Sequence, residues 1–121
     1  MPRKILAHRI KLKRAYNPPW RDGKRILTDR LWPRGVRKSE AAIDRWIKEI
    51  APSATLRKWF GHDPARWQEF RRRYAAEIRD HADPLAELPA AARKGPITLV
   101  FGARDELHND AVVLRDVLLG R

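Results

Sequence analysis

Two short stretches hold most of the side chains in this sequence that could do chemistry. Asp29-Arg30-Leu31-Trp32-Pro33-Arg34-Gly35 places a carboxylate, two guanidinium groups and an indole within seven positions, in a run bent by Pro33 and Gly35. Gly102-Ala103-Arg104-Asp105, followed by His108 and Asn109, offers a third arginine, a second carboxylate and an imidazole. Guanidinium groups present paired donors in a fixed fork that matches phosphate and carboxylate. Imidazole and carboxyl groups can be tuned to move protons near neutral pH. Together these residues suit a small anionic ligand: a phosphate ester, a nucleotide or a carboxylate. The expected ligand-binding residues are Arg30, Trp32, Arg34, Arg104, Asp105 and Asn109. His108 and Asp29 are the candidates for proton transfer if the site is catalytic.

Each residue also has a plainer role. Asp29 and Arg30 could pair with Arg104 and Asp105 across two strand ends. Asp29 and Asp105 could instead meet as two carboxylates. Trp32 could be a core lid rather than a stacking platform. Asn109 or Asp105 could cap the last helix, with His108 beside the cap. His62, in Trp59-Phe60-Gly61-His62-Asp63-Pro64, reads as a turn histidine or as a pH-sensitive or metal-binding group. His8 and His81 lie in polar surroundings. The four histidines have no HExxH spacing, and the glycines form no GxxxxGK[ST], GxGxxG or GxSxG word. Without cysteine there is no thiol nucleophile, disulfide or Cys-ligated metal.

The elements that must position these groups can be read from the apolar pattern. Ile5 to Ala15 alternates roughly, as an edge strand with Lys and Arg facing water does. Pro18, Pro19 and Gly23 make a loop. Arg25 to Asp29 is a short strand, so Asp29–Gly35 follows its carboxyl end. Ile43, Trp46, Ile47 and Ile50 share one face of a helix expected to begin at Ser39 and to stop at Pro52. Thr55 to Phe60 adds one or two more turns. Asp63 and Pro64 start a strong helix running to about Arg79, with Trp67, Phe70, Tyr74 and Ile78 in one stripe. Pro84 to Ala92 reads as a looser helical segment interrupted by Pro89. Ile97 to Phe101 is a continuous apolar strand of the kind buried on both faces of a parallel sheet. A final helix runs from about His108 to Leu119.

The order predicts a small single α/β domain over residues 1–121, with a partly parallel sheet flanked by helices. A helical protein with a β-hairpin is the alternative. In open α/β sheets ligands bind beyond the carboxyl ends of the strands. If the two short strands are parallel neighbours, their loops face each other beside a helix N-terminus, which favours an anion.

Charge suggests a second class of function. Residues 1–38 hold 13 Lys and Arg against 2 Asp and Glu, or +11, and residues 39–121 hold 14 against 13, or +1. A one-sided basic region attracts phosphates, nucleic acid or acidic partners. Arg9, Lys11, Lys13, Arg14, Trp20 and Arg21 are the nucleic-acid candidates, with Tyr16 also able to stack and Lys24 and Arg25 adding charge. No helix-turn-helix or zinc-finger word accompanies them. A third reading has His62 or His108 ligating haem or a metal. A folded accessory protein with an unknown protein partner is the fourth. No apolar run approaches the roughly 20 residues that span a bilayer. The basic start lacks the apolar stretch of a signal peptide. A cytoplasmic protein is expected.

Three longer segments carry a resemblance: RILTDRLWPRGVRK (25–38), APSATLRKWFGHDPARWQEFRRRY (51–74) and ITLVFGARDELHNDAVVL (97–114). Arriving in this order and spacing, they resemble the bacterial family called domain of unknown function 488, in particular its YeaO-like branch. The likeness covers about residues 4 to 119. It implies a compact α/β fold and implies no activity.

Overall fold

The computed structural model describes residues 5–121. Arg3 and Lys4 of the basic N-terminal third, and the residue 4 end of the family likeness, lie outside them. Four strands form one sheet: β1 (Ile10–Arg14), β2 (Lys24–Leu27), β3 (Arg45–Trp46) and β4 (Ile97–Phe101), in the order β1-β4-β2-β3. Every pairing is parallel. In register, Ile10 and Lys24 both flank Ile97, and Leu27 lies beside Val100. β4 therefore sits between β1 and β2, and all five of its residues are buried. Among the described residues, no helix is long and apolar enough to cross a membrane.

Parallel neighbours oblige the chain to return to the starting edge after each strand. Between β1 and β2 no helix makes that return. Residues 15–23 do so as an irregular segment pinned by lysines. Lys11 Nζ donates to the Arg21 carbonyl at 2.8 Å, and Lys13 Nζ donates to the Pro18 carbonyl at 3.2 Å and to Asp22 at 2.7 Å. β1 is an edge strand as expected, but these lysines hold the return segment rather than only facing water. Gly23, at φ +64°, ends the return. A Cβ there would stand 2.1 Å from the Pro96 carbonyl oxygen, so only glycine fits.

The helix expected from Ser39 to Pro52 does not form. A single turn, α1 (Lys38–Ala41), ends at Ala42 in the left-handed region (φ 52°); β3 and a 3-10 turn at Lys48–Ile50 follow. The apolar residues that mimic a helical stripe face two different cores. Ile43 and Trp46 pack with Ala15, Leu27 and Val100 on one face of the sheet. Ile47 and Ile50 join the main core on the other.

That main core lies under α2 (Ala54–Phe60), α3 (Trp67–Arg79), α4 (Ala82–Lys94) and α5 (Asp110–Leu118). The Ser53 hydroxyl caps α2, accepting from the Leu56 N–H at 3.1 Å. Asp63 accepts from the Ala65 N–H at 3.0 Å and starts the 3-10 turn that leads into α3. Trp67, Phe70, Tyr74 and Ile78 are buried as their spacing predicts. α4 runs unbroken through Pro89, with Leu88 and Ala92 anchored in the core. Packing outweighs the hydrogen bond that proline cannot donate.

Candidate functional site

β2 and β4 are parallel neighbours, so the loops after them stand side by side. Between them, α2 and the N-terminus of α5 lies a cavity of about 470 Å³. Its walls include Asp29, Arg30, Trp32 and Arg34 from the first loop and Gly102, His108, Asn109 and Asp110 from the second side. Arg57 of α2 and His62 of the following turn complete its polar lining, and Phe60, Phe70, Pro52 and Leu31 supply apolar wall.

The floor is a pair of carboxyl groups. The backbone carbonyl of Asp29 is fixed by the Trp46 indole N–H at 2.7 Å, and its Oδ2 accepts from the Gly102 N–H at 2.8 Å. Gly102 permits this approach, because a Cβ there would lie 3.3 Å from the same oxygen. The Asp29 side chain also lies beside that of Asp110, the first residue of α5. Loss of surrounding water raises the Asp29 carboxyl above its ordinary value, against the opposing pull of Asp110, the Gly102 N–H and His62. The same loss of water, then the charge and hydrogen bond of Asp29, push Asp110 well above its own. Each of two neighbouring carboxylates opposes the ionisation of the other.

The second loop is organised by Asp105. Its Oδ1 accepts from the N–H groups of Leu107 (2.9 Å) and His108 (3.0 Å), and its Oδ2 meets His108 Nδ1 at 2.9 Å. The backbone bond to Leu107 and the His108 side chain hold the Asp105 carboxyl below its ordinary value. The imidazole stands edge-on to Trp67, centroids 5.1 Å apart. With Nδ1 engaged and the ring held, His108 faces the cavity in one orientation. Asn109 caps α5, accepting from the Val112 N–H at 3.1 Å and donating to the Asp105 carbonyl at 2.9 Å.

The cations lie at the rim. Arg30, Arg34 and Arg57 are exposed, and none forms an ion pair with a described residue. The Arg30 guanidinium reaches only the Pro52 carbonyl at 3.4 Å, and the Arg34 carbonyl accepts from Tyr16 at 2.9 Å. The cross-loop Asp–Arg pairs considered from sequence are therefore not made.

Of the residues expected at the site, the cavity gathers Asp29, Arg30, Trp32, Arg34, His108 and Asn109. Arg104 and Asp105 are not part of its lining. Arg104 is exposed, and Asp105 acts on the site through His108. Asp29 meets Asp110 rather than Asp105, whose oxygens are taken by its own loop. Trp32 lines the wall, but its indole donates to the Val36 carbonyl at 2.7 Å and packs edge-on against Trp46 at 5.5 Å, so it is mainly a lid on the second core. Arg57 and Asp110 were missed. A carboxylate directly after a capping asparagine was the one available signal for Asp110.

His62 sits at the cavity in the left-handed region, at φ 57°. Among the described residues no group of three or more His, Cys, Asp or Glu could hold a metal ion. The nucleic-acid candidates are partly engaged elsewhere. Besides the lysines of the return segment, Arg14 donates to the Ala103 carbonyl at 2.9 Å and Arg9 reaches the Arg93 carbonyl at 3.5 Å. Trp20 remains 72% exposed, with Arg21 over its ring at 5.3 Å.

Comparison with known proteins places the chain among uncharacterised bacterial relatives. A family model described as "Inactive DUF488-N3 subclade" matches residues 9–121. Uncharacterized protein YeaO of Escherichia coli is 44% identical over 110 residues, covering 90% of this chain and 96% of its own. Uncharacterized proteins Rv3073c of Mycobacterium tuberculosis and Mb3100c of Mycobacterium bovis are each 40% identical over 116 residues, covering 93% of this chain and 96% of theirs. No solved structure matches significantly.

Proposed function

The chain belongs to the DUF488 family, and from that premise we propose that its cavity binds a small anionic ligand, a phosphate ester, nucleotide or carboxylate, without turning it over. The observation that carries this reading is the rim: Arg30, Arg34 and Arg57 border one concavity and pair with no described carboxylate. Charge-assisted, paired bonds from arginine are the strong means of holding such groups. His108, oriented by Asp105, adds a ring nitrogen to the wall. Asp29 and His108 have the chemistry of an acid–base pair, but the matched subclade is described as inactive, which favours binding over catalysis.

Calorimetric titration with inorganic phosphate and with butanoate tests the reading. Saturable binding is expected, weakened about tenfold by Arg34→Ala and by Arg57→Ala, the scale of one lost charge-assisted bond. The unfolding midpoint of both variants should stay near that of the parent. If Arg34→Ala melts the protein and neither anion saturates the parent, the arginines are structural and the reading fails.

A second reading keeps nucleic acid as the partner, favoured by Trp20 and Arg21 stacked and exposed together on the return segment. Single-stranded RNA or DNA would then be retained at low salt and released steeply as salt rises. Retention unchanged in Trp20→Ala removes it.

A further inference from the structure

The anion reading accounts for the rim of the cavity and leaves its floor unexplained. Arg30, Arg34 and Arg57 are exposed at the mouth, while Asp29 and Asp110 lie deeper and only partly exposed. No arginine of the rim forms an ion pair with either aspartate, although all five line one space. A purely structural arrangement would let opposite charges meet. Here they stay apart across a void. The acids are held from behind, Asp29 by the Gly102 N–H and Asp110 by the Ala111 N–H at 3.0 Å, which leaves their facing oxygens to each other and to the cavity.

Among the groups around the pair, the His62 charge pulls on Asp29 alone. His62 lines the same cavity, and His108 is engaged with Asp105. The Tyr74 hydroxyl, on the buried side, donates to the Ile50 carbonyl at 2.7 Å. Two carboxyl groups side by side at the foot of a cavity suit a donor-rich cation. An ammonium group supplies three donors and no acceptor.

We infer that the ligand is ambipolar: a small molecule with a phosphate or carboxylate at the arginine rim and an ammonium group at the other end, seated on Asp29 and Asp110. The inference rests on the anion reading and sharpens it to a substrate class. In this inference the empty pair shares one proton; when the ammonium group seats, that proton leaves to solvent and the ammonium N–H groups replace it between the two carboxylates. No bond of the ligand changes.

Matched probes test it on the full chain. Calorimetry compares 4-aminobutanoate with butanoate, and phosphoethanolamine with ethyl phosphate. The ammonium-bearing member of at least one pair is expected to bind about tenfold tighter or better. Its apparent enthalpy should change with the ionisation heat of the buffer, reporting the released proton. The pair that discriminates identifies the anionic end. Asp110→Asn, which keeps an oxygen for the Ala111 N–H, should bring the ammonium probe down to the affinity of its partner, and Asp29→Asn should do the same if the first variant folds poorly. Equal binding within both pairs overturns the ambipolar inference and leaves the anion reading standing. Failure of all four probes to bind the parent overturns both.

Discussion

The two ends of strand β2 carry the same side chain in opposite states. At the amino end, Asp22 is 5% exposed and lies between Lys13 at 2.7 Å and Arg25 at 2.5 Å, and Arg25 is itself only 2% exposed. Burial pulls the Asp22 carboxyl upward, but the hydrogen bonds from Lys13 and Arg25 prevail and hold it below its ordinary value. At the carboxyl end, Asp29 meets a second acid, and loss of water leaves its carboxyl raised. The first site is closed: Arg25 also donates to the Ala41 carbonyl at 3.0 Å, and its backbone N–H donates to Asp44 at 2.8 Å. The second site opens on a cavity. Buried charge by itself does not mark a functional site. What sets the second end apart is a pair of acids beside open space.

That contrast can be broken most severely at the closed end. Asp22→Ala leaves Arg25 buried without its partner and should cost about 3–5 kcal/mol, measured by urea unfolding. A loss below about 1 kcal/mol would mean that water reaches Arg25 and the site is not closed. At the open end the largest structural loss should come from Trp46→Phe, which removes the indole donor to the Asp29 carbonyl. About 1–2 kcal/mol is expected in the same assay, together with weaker binding of any anion found in the cavity.

The next effect is a change of slope. An acid whose pKa is raised by folding stabilises the fold below its unfolded value, and that contribution is lost as pH rises through the folded value. An acid whose pKa is depressed contributes above its unfolded value, and the contribution is lost as pH falls through the folded one. Compared with the parent, Asp110→Asn should therefore gain stability as pH rises past the ordinary carboxylate range. The deficit of Asp22→Asn should shrink as pH falls below that range. Parallel profiles for the two variants, from urea midpoints across pH 3 to 8 (a window set by the roughly 3.9 of an unperturbed aspartate), would erase the distinction. The smallest effect belongs to the rim, where Arg34→Ala should shift stability by less than about 0.5 kcal/mol, as exposed substitutions do.

Much of this arrangement was legible in the sequence. The run Ile97–Phe101 read as a buried strand, the Trp67–Ile78 stripe read as a packed helix, and the two loops were expected to meet if their strands were parallel neighbours. β3 was not legible. Ile43, Trp46, Ile47 and Ile50 have helical spacing, and nothing local says that the first two serve one face of the sheet and the last two the other. The carboxyl pair was half legible. Asp29 stood out, but its partner depended on which acid of the second loop was already occupied. Asp105 turns inward on Leu107 and His108, and Asp110 is left to face the cavity.

The position of β4 also sets the order in which the molecule can be made. β1 takes its place through Ile10 against Ile97 and Arg14 against Phe101, and among the described strands β4 is its sole neighbour. Until residues 97–101 have left the ribosome, β1 has nothing to pair with, and β2 has only the two-residue β3. Contacts this distant along the chain are slow to form. β1 therefore waits unpaired until the central strand arrives, and a strand waiting in that state presents unpaired edges.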